Sequence, residues 1–328
     1  MTPRIHIISA HAGGHIEGVC QQHILAQLPN RVSSIAEADV VVVCVSWYSD
    51  FRFNDALVGL RKPVVLMDFM EVYGAKPDPA RSLIIGHDGF EQWARLNDNH
   101  PCAVEWAKLH AWVAQADVRG QFVRELLETD VSERIIPIEW PCLLPAWAIE
   151  PKSNFDARPF EVFYCWGMSN ALRPHLHGQI YGLMGDGLVD VIGHWDHIDA
   201  KLNDTHRRWI AIHSPHTHRV HLNEIARRQA QSKMSVSMPG AGQRCFRDAE
   251  APVHTVPVFM QDGTARSYPW EHGVNCIKFD GTAHSLNEAT QRPDLHDLYV
   301  ATQETIDRYR THRYAREYVL PNHERFLA

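Results

Sequence analysis

Lys233–Glu250 reads KMSVSMPGAGQRCFRDAE. A strand predicted over Met234–Met238 runs into Pro239, Gly240, Ala241 and Gly242, then into a helix carrying Arg244, Arg247 and Glu250. Small residues let the backbone approach a ligand, and a helix N-terminus offers its N–H groups to an anion. Guanidinium forks match phosphate oxygens bidentately. Glu250 is three residues beyond Arg247 and so shares its helical face, where a carboxylate can accept the hydroxyls of a ribose. This combination predicts a site for a nucleoside diphosphate. The competing reading makes Arg244 and Arg247 a solvated helix face of little energetic weight. Against it, both arginines follow the glycines closely, and Cys245, Phe246 and Ala249 leave an apolar side for packing.

A second glycine loop, Ser9-Ala10-His11-Ala12-Gly13-Gly14-His15-Ile16, sits between the first predicted strand and a helical stretch. Gly13 and Gly14 permit a tight turn beside a helix N-terminus. The loop is not the G-x-G-x-x-G dinucleotide fingerprint, which counts against a dehydrogenase. His11 and His15 place two imidazoles, which titrate near neutral pH, in this loop; Asp50, Asp68 and Glu71, at or after strand ends, are carboxylates that could serve as a base. Read singly, each of these acids caps a turn or helix. Trp47, Tyr48, Phe51 and Phe53 form an aromatic cluster that can stack on a sugar or base, or pack a core.

The chain has 22 histidines, so metal binding must be weighed. His213, His216, His218 and His221 are grouped, but no Cys or Glu completes a ligand set and Pro215 prevents a regular helical spacing. No metal site is predicted; His213 or His216 is expected beside the nucleotide.

These residues need a scaffold. Strands are predicted at Arg4–Ser9, Ala38–Val45, Lys62–Met67, Ser82–Ile85 and Ile135–Trp140, the last at an edge because of Pro137. Helices are predicted over Glu17–Leu28, Pro101–Ala116 and Arg119–Glu128. Pro141, Pro145, Pro151 and Pro159 mark a linker. Alternation resumes with strands at Phe160–Gly167, Val189–Ile192, Arg208–His213, Met234–Met238, His254–Phe259 and Asn275–Phe279. A long helix is expected over Leu295–Tyr318, ending near Pro321. The expected architecture is α/β: two Rossmann-like doubly wound parallel sheets facing across a cleft, with ligands at the strands' carboxyl ends. Residues 1–145 form the first domain, 146–159 the linker and 160–300 the second domain. Residues 301–328 form a helix that packs back on the first. Trp270-Glu271-His272-Gly273 is expected to line the cleft.

Composition narrows the class. The chain of 328 residues with 45% hydrophobic and 22% charged residues is ordinary for a globular protein of two domains. No apolar run is long enough to span a membrane and no secretory signal is evident. Seven scattered cysteines without a Cys-x-x-Cys fit reduced thiols, and a cytoplasmic location is expected. The net charge of -7 disfavours a DNA-binding module, although a local basic channel around Arg119, Arg124, Arg207 and Arg208 would admit DNA.

The Gly-Gly-His turn at Gly13–His15 resembles that of MurG-type transferases, and its Gly-His resembles that of UDP-glycosyltransferases, whose histidine can act as base. The resemblance implies His15 as the first candidate base for deprotonating an acceptor hydroxyl and His11 as the second. The 233–250 segment resembles the donor site of GT-B enzymes of the glycosyl-transferase group 1 and CgeB-like families, through Gly240, Gly242, Arg247, Glu250 and Ala251. Arg173 matches another donor-phosphate position of such enzymes. The resemblance implies a GT-B glycosyltransferase with a nucleotide-diphosphate sugar, UDP-linked in many relatives, as donor and no metal cofactor. The first domain would hold an acceptor: a saccharide, a small molecule or a modified DNA base. It departs from the family pattern in lacking the His-Cys-Gly-Trp-Asn run, and Gln243 stands where a second glutamate is usual. The alternatives are a nucleotide-sugar epimerase or hydrolase of the same architecture, and a non-catalytic nucleotide-sugar-binding protein.

Overall fold

The computed structural model describes residues 3–13, 24–46, 50–69, 101–124, 126–139, 154–167, 176, 189–194, 222–238, 247–261, 265–309 and 311–328. It divides into two compact units. The first comprises Met1–Pro141, Gly263–Ser267 and Tyr309–Ala328; the second comprises Cys142–Asp262 and Tyr268–Arg308.

In the first unit, β1 (Ile5–Ser9), β2 (Val40–Val45), β3 (Val64–Asp68), β4 (Val118–Val123) and β5 (Ile135–Pro137) pair in that order, all parallel. Every residue of β2 and β3 is buried, as a sheet covered on both faces requires. On the outer side of β1, Arg31 makes a parallel bridge to Ile5. There the Ile5 N–H donates to Asn30 O at 3.0 Å and the Val32 N–H to Ile5 O at 2.9 Å. The chain thus steps outward from β1 and then returns past it to β2. That reversal puts a topological switch point between the carboxyl ends of β1 and β2.

The second unit repeats the plan. β6 (Phe160–Gly167), β7 (Val189–His194), β8 (Ser232–Ser237), β9 (Val256–Met260) and β10 (Ile277–Phe279) pair in the order β10-β9-β8-β6-β7, again all parallel. Here the switch point lies between β6 and β8. The core packs Val162, Tyr164, Met234, Val236, Val256 and Val258 from the strands against Leu286, Leu298 and Tyr299 from two helices, α4 (Ala283–Thr290) and α5 (Leu295–Tyr309). At its amino-end rim Arg158 is 5% exposed. Its Nη1 donates to Ser232 O at 2.8 Å and His254 O at 2.6 Å, and its cation lies 4.9 Å from the Phe155 ring and 4.8 Å from that of Tyr299.

Helix α1 (Ala103–Gln115) is close to its predicted span and buries Trp106, Leu109 and Trp112. Among the described residues the other α-helices are α2 (Leu222–Ala230), α3 (Arg247–Glu250), α6 (Thr311–Tyr314) and α7 (Leu320–Leu327).

Two expectations are corrected. The helix expected over Arg119–Glu128 is strand β4 over Val118–Val123, sandwiched between β3 and β5. Its pairing slips by one residue, Val64 facing Val118 and Val65 facing Gly120, so Arg119 is the extra residue of a bulge. Gly120 meets Phe326 of α7 so closely that a Cβ would lie 2.1 Å from the ring, and only glycine fits. The second correction is at the C-terminus, where helical structure continues beyond Pro321. A π-helical turn, Ala315–Val319, precedes α7, and Pro321 falls in α7's first turn.

The returning C-terminal segment is tied to the first sheet's end. Tyr318 Oη donates to Pro137 O at 2.7 Å. Tyr314 Oη accepts the Glu139 N–H at 2.8 Å and lies 2.8 Å from Ser267 Oγ. The Ser267 N–H donates to the buried Glu139 carboxylate at 3.0 Å. Among the described residues no helix is long and apolar enough to cross a membrane.

Candidate functional site

At the first switch point, the loops leaving β1 and β2 are laced together. The Ala10 N–H donates to Cys44 O at 2.9 Å, Ala12 N–H to Arg52 O at 2.7 Å and Asn54 N–H to Ala10 O at 2.9 Å. Asn54 Nδ2 donates to Ser9 O at 2.9 Å. His11 bridges antiparallel to Phe53, and Gly13 has φ +73°, a backbone conformation that favours glycine. Beneath them, Phe51 stacks on Trp106 with ring centres 3.8 Å apart, and the Phe53 N–H donates to Glu105 Oε2 at 2.8 Å. The hydrogen bonds of Lys108 and Phe53 hold the Glu105 carboxyl below its ordinary pKa, so it stays an anionic acceptor. Phe51 and Phe53 are therefore core residues, as is Cys44, whose thiol burial pushes up to about 12.

His11 is 9% exposed, and its Nδ1 accepts the Arg52 N–H at 2.9 Å. The neutral ring therefore carries its proton on Nε2. In that tautomer Nδ1 is committed to holding the loop after β2. Asp50 is exposed in the turn after β2, and Asp68 is 1% exposed at the end of β3. Gly14 and His15 lie outside the described residues, as do Trp47, Tyr48 and Glu71.

At the second switch point, β8 ends at Ser237, whose Oγ donates to Asp248 Oδ1. Asp248 and Glu250 are 5% and 6% exposed. Arg247 and Glu250 share the single helical turn α3, which runs into a 3-10 turn at Ala251–Val253. That turn is locked from two sides: Gln303 Nε2 donates to Pro252 O at 2.9 Å and Thr255 Oγ1 to Ala251 O at 2.7 Å. The carboxylate of Glu250 is thus carried on a fixed corner one loop beyond the carboxyl end of β8. Arg173, His213, Gly240, Ala241, Gly242 and Arg244 lie outside the described residues, together with His216, His218, His221, Arg207 and Arg208.

Sequence reasoning missed Asp248. Its partner Ser237 sits across the glycine loop, and a carboxylate in a helix's first turn reads as an ordinary cap. Trp270 is buried against Phe259, with ring centres 5.6 Å apart, whereas His272 is exposed and its Nδ1 accepts the Lys278 N–H at 2.9 Å. Arg124 is 1% exposed and cannot line a solvent channel for DNA. Among the described residues no group of three or more His, Cys, Asp or Glu is placed to hold a metal ion.

No protein-family model matches the sequence, and no curated protein matches it. Solved structures do match. The chain is similar to the structure described as trehalose-6-phosphate from E. coli bound with UDP-2-fluoro glucose, at a TM-score of 0.58 and 8% identity, over 97% of this chain and 98% of that one. It is also similar to the OtsA apo structure, at a TM-score of 0.52 and 9% identity, over 92% of this chain and 76% of that one. Likeness at such identity concerns the fold, and it agrees with two parallel sheets that each reverse once: the chain has the GT-B fold, with two Rossmann-like α/β domains.

Proposed function

We propose that the chain is a glycosyltransferase that moves a sugar from a nucleotide-diphosphate donor to an acceptor hydroxyl. The observation that carries the reading is the second switch point. There β8 ends at Ser237, and the turn bearing Arg247 and the buried Glu250 follows in sequence after the glycine-rich residues 239–246. A glycine-rich segment with guanidinium groups at the carboxyl end of a parallel strand suits a diphosphate, and Glu250 suits the ribose. Arg173, Arg244 and Arg247 would stabilise the leaving diphosphate, so the reaction needs no resident metal. UDP is the first nucleotide to test, because a structure of this fold is described as bound with UDP-2-fluoro glucose.

His15 is the proposed base, two residues beyond the positive-φ Gly13, with His11 the second candidate and Asp50 the third. The His11 Nδ1 bond to Arg52 also ties the loop after β1 to the loop after β2. The acceptor belongs to one of three classes: a saccharide, a small molecule or a modified DNA base.

The test is thermal-shift binding against nucleoside diphosphates and nucleotide sugars, comparing the wild type with Arg247→Ala. Stabilisation by one nucleoside diphosphate, lost in the variant, is expected. No stabilisation, or an equal response from the variant, would remove the donor-site assignment.

A further inference from the structure

The first unit has a polar cavity of about 560 Å³ lined by Asp117, Arg119, Glu133, Arg134, Arg325 and Phe326. It lies at the amino ends of β4 and β5, the edge of the sheet opposite the switch point. Its walls come from three separate parts of the chain. The bulge in β4 puts Arg119 there, paired with Asp117 at 2.8 Å. Arg134 is held by two carbonyls the bulge presents: its Nε donates to Arg119 O at 3.1 Å and its Nη2 to Val118 O. Arg325 arrives on α7, donates from Nη2 to Glu133 O at 3.0 Å, and lies 5.6 Å over the Phe326 ring.

Arg134 and Arg325 are thus fixed by neutral carbonyls, so neither charge is cancelled by a carboxylate among the described residues. Arg119 is matched by Asp117, which leaves Glu133 as the remaining anion. The wall carries three guanidinium groups against two carboxylates. Guanidinium forks match phosphate oxygens bidentately. The volume falls in the range of small-molecule sites and exceeds what a bare phosphate would fill. Asp117 and Glu133 can accept hydroxyl groups.

We propose that this cavity binds a phosphate monoester of a small polyhydroxy compound, independently of the nucleotide site. The experiment is calorimetric titration of the whole protein with glycerol phosphate, inorganic phosphate and glycerol at low salt. Saturable binding is expected for glycerol phosphate, weaker binding for inorganic phosphate and none for glycerol. Arg325→Gln should weaken it about tenfold, the loss of one charge-assisted hydrogen bond. Arg119→Gln, on the exposed bulge, provides a second variant if Arg325→Gln fails to fold. Arg247→Ala should leave this binding unchanged. Absence of saturable glycerol phosphate binding would overturn the proposal, as would binding lost in Arg247→Ala and kept in both arginine-to-glutamine variants.

Discussion

The Arg52 backbone N–H donates to His11 Nδ1 at 2.9 Å, joining the loop after β1 to the loop after β2. The two loops meet where the strand order of the first sheet reverses, which is where ligands of such sheets bind. The bond therefore shapes the rim of the proposed acceptor side, and it sets the histidine's tautomer at the same time. A side chain that supplies an acceptor to a backbone N–H positions its neighbours, and its loss should be repaired by another acceptor of similar reach.

That reasoning separates two substitutions. His11→Asn keeps an acceptor near the Nδ1 position, so transfer from the cognate nucleotide sugar should stay within about threefold of the wild type. His11→Ala leaves the Arg52 N–H without its partner and should lower kcat/KM about tenfold, the equivalent of one unsatisfied hydrogen bond. Neither should change the shape of the pH–rate profile. If both variants lost the roughly 10²–10⁴-fold expected for removal of a base, with an altered profile, His11 and not His15 would be the proton acceptor.

The approach of Gly120 to Phe326 makes a second case. A Cβ on Gly120 would stand 2.1–2.4 Å from three atoms of the ring, so Gly120→Ala must displace α7 or bend β4. Overpacking of this kind typically destabilises by about 1–3 kcal/mol. Phe326→Ala opens a cavity beside Phe122, whose ring centre is 5.2 Å away, at a loss of about 3–5 kcal/mol. The double variant should be more stable than the sum of the two losses implies, because removing the ring makes room for the methyl. Denaturant unfolding of the four proteins measures this; strict additivity would mean the contact is relieved by backbone movement.

Legibility in the sequence followed locality. The run Val-Val-Val-Val-Cys-Val at 40–45 is a strand by composition, and all of it is buried. The amphipathic spacing of Trp106, Leu109 and Trp112 likewise predicted α1. Strand β4 was misread because Gln121–Leu127 contains good helix formers, and what makes the preceding residues a strand is pairing with β3 and β5. Gly120 is explained only by Phe326, at the far end of the chain. In the candidate site, the glycine loops and the Arg247–Glu250 pair could be read from spacing. The Asp248–Ser237 bond and the tautomer of His11 could not, because each depends on a partner from another loop.

Arg158 stabilises the second unit without a carboxylate partner. Burial lowers its pKa, and its bonds to Ser232 O and His254 O, together with two aromatic faces, compensate the desolvated cation. Arg158→Met keeps the packing stem but leaves both carbonyls without this donor, which predicts a loss of about 1–3 kcal/mol. Arg158→Lys can restore one such bond and should fall between the two. Thermal unfolding gives the ranking; a methionine variant as stable as the wild type would show that burying the cation offsets everything its bonds contribute.

His323 gives the fold a pH dependence whose sign follows from burial. It is 1% exposed in α7, and desolvation lowers its pKa from 6.5 to about 4. Above pH 6.5 the ring is neutral in both folded and unfolded chains and contributes no slope. Below that value the unfolded chain takes up a proton that the folded one refuses, so stability declines as pH falls, until the folded group also titrates near pH 4. A shift of this size corresponds to about 3 kcal/mol across the window. His323→Leu removes the titrating group, so its unfolding free energy should fall less between pH 7 and pH 4 than that of the wild type. Urea unfolding at several pH values in that interval measures the difference directly. Parallel slopes for the two proteins would mean that other groups carry the acid sensitivity and that the His323 ring keeps an ordinary affinity for its proton.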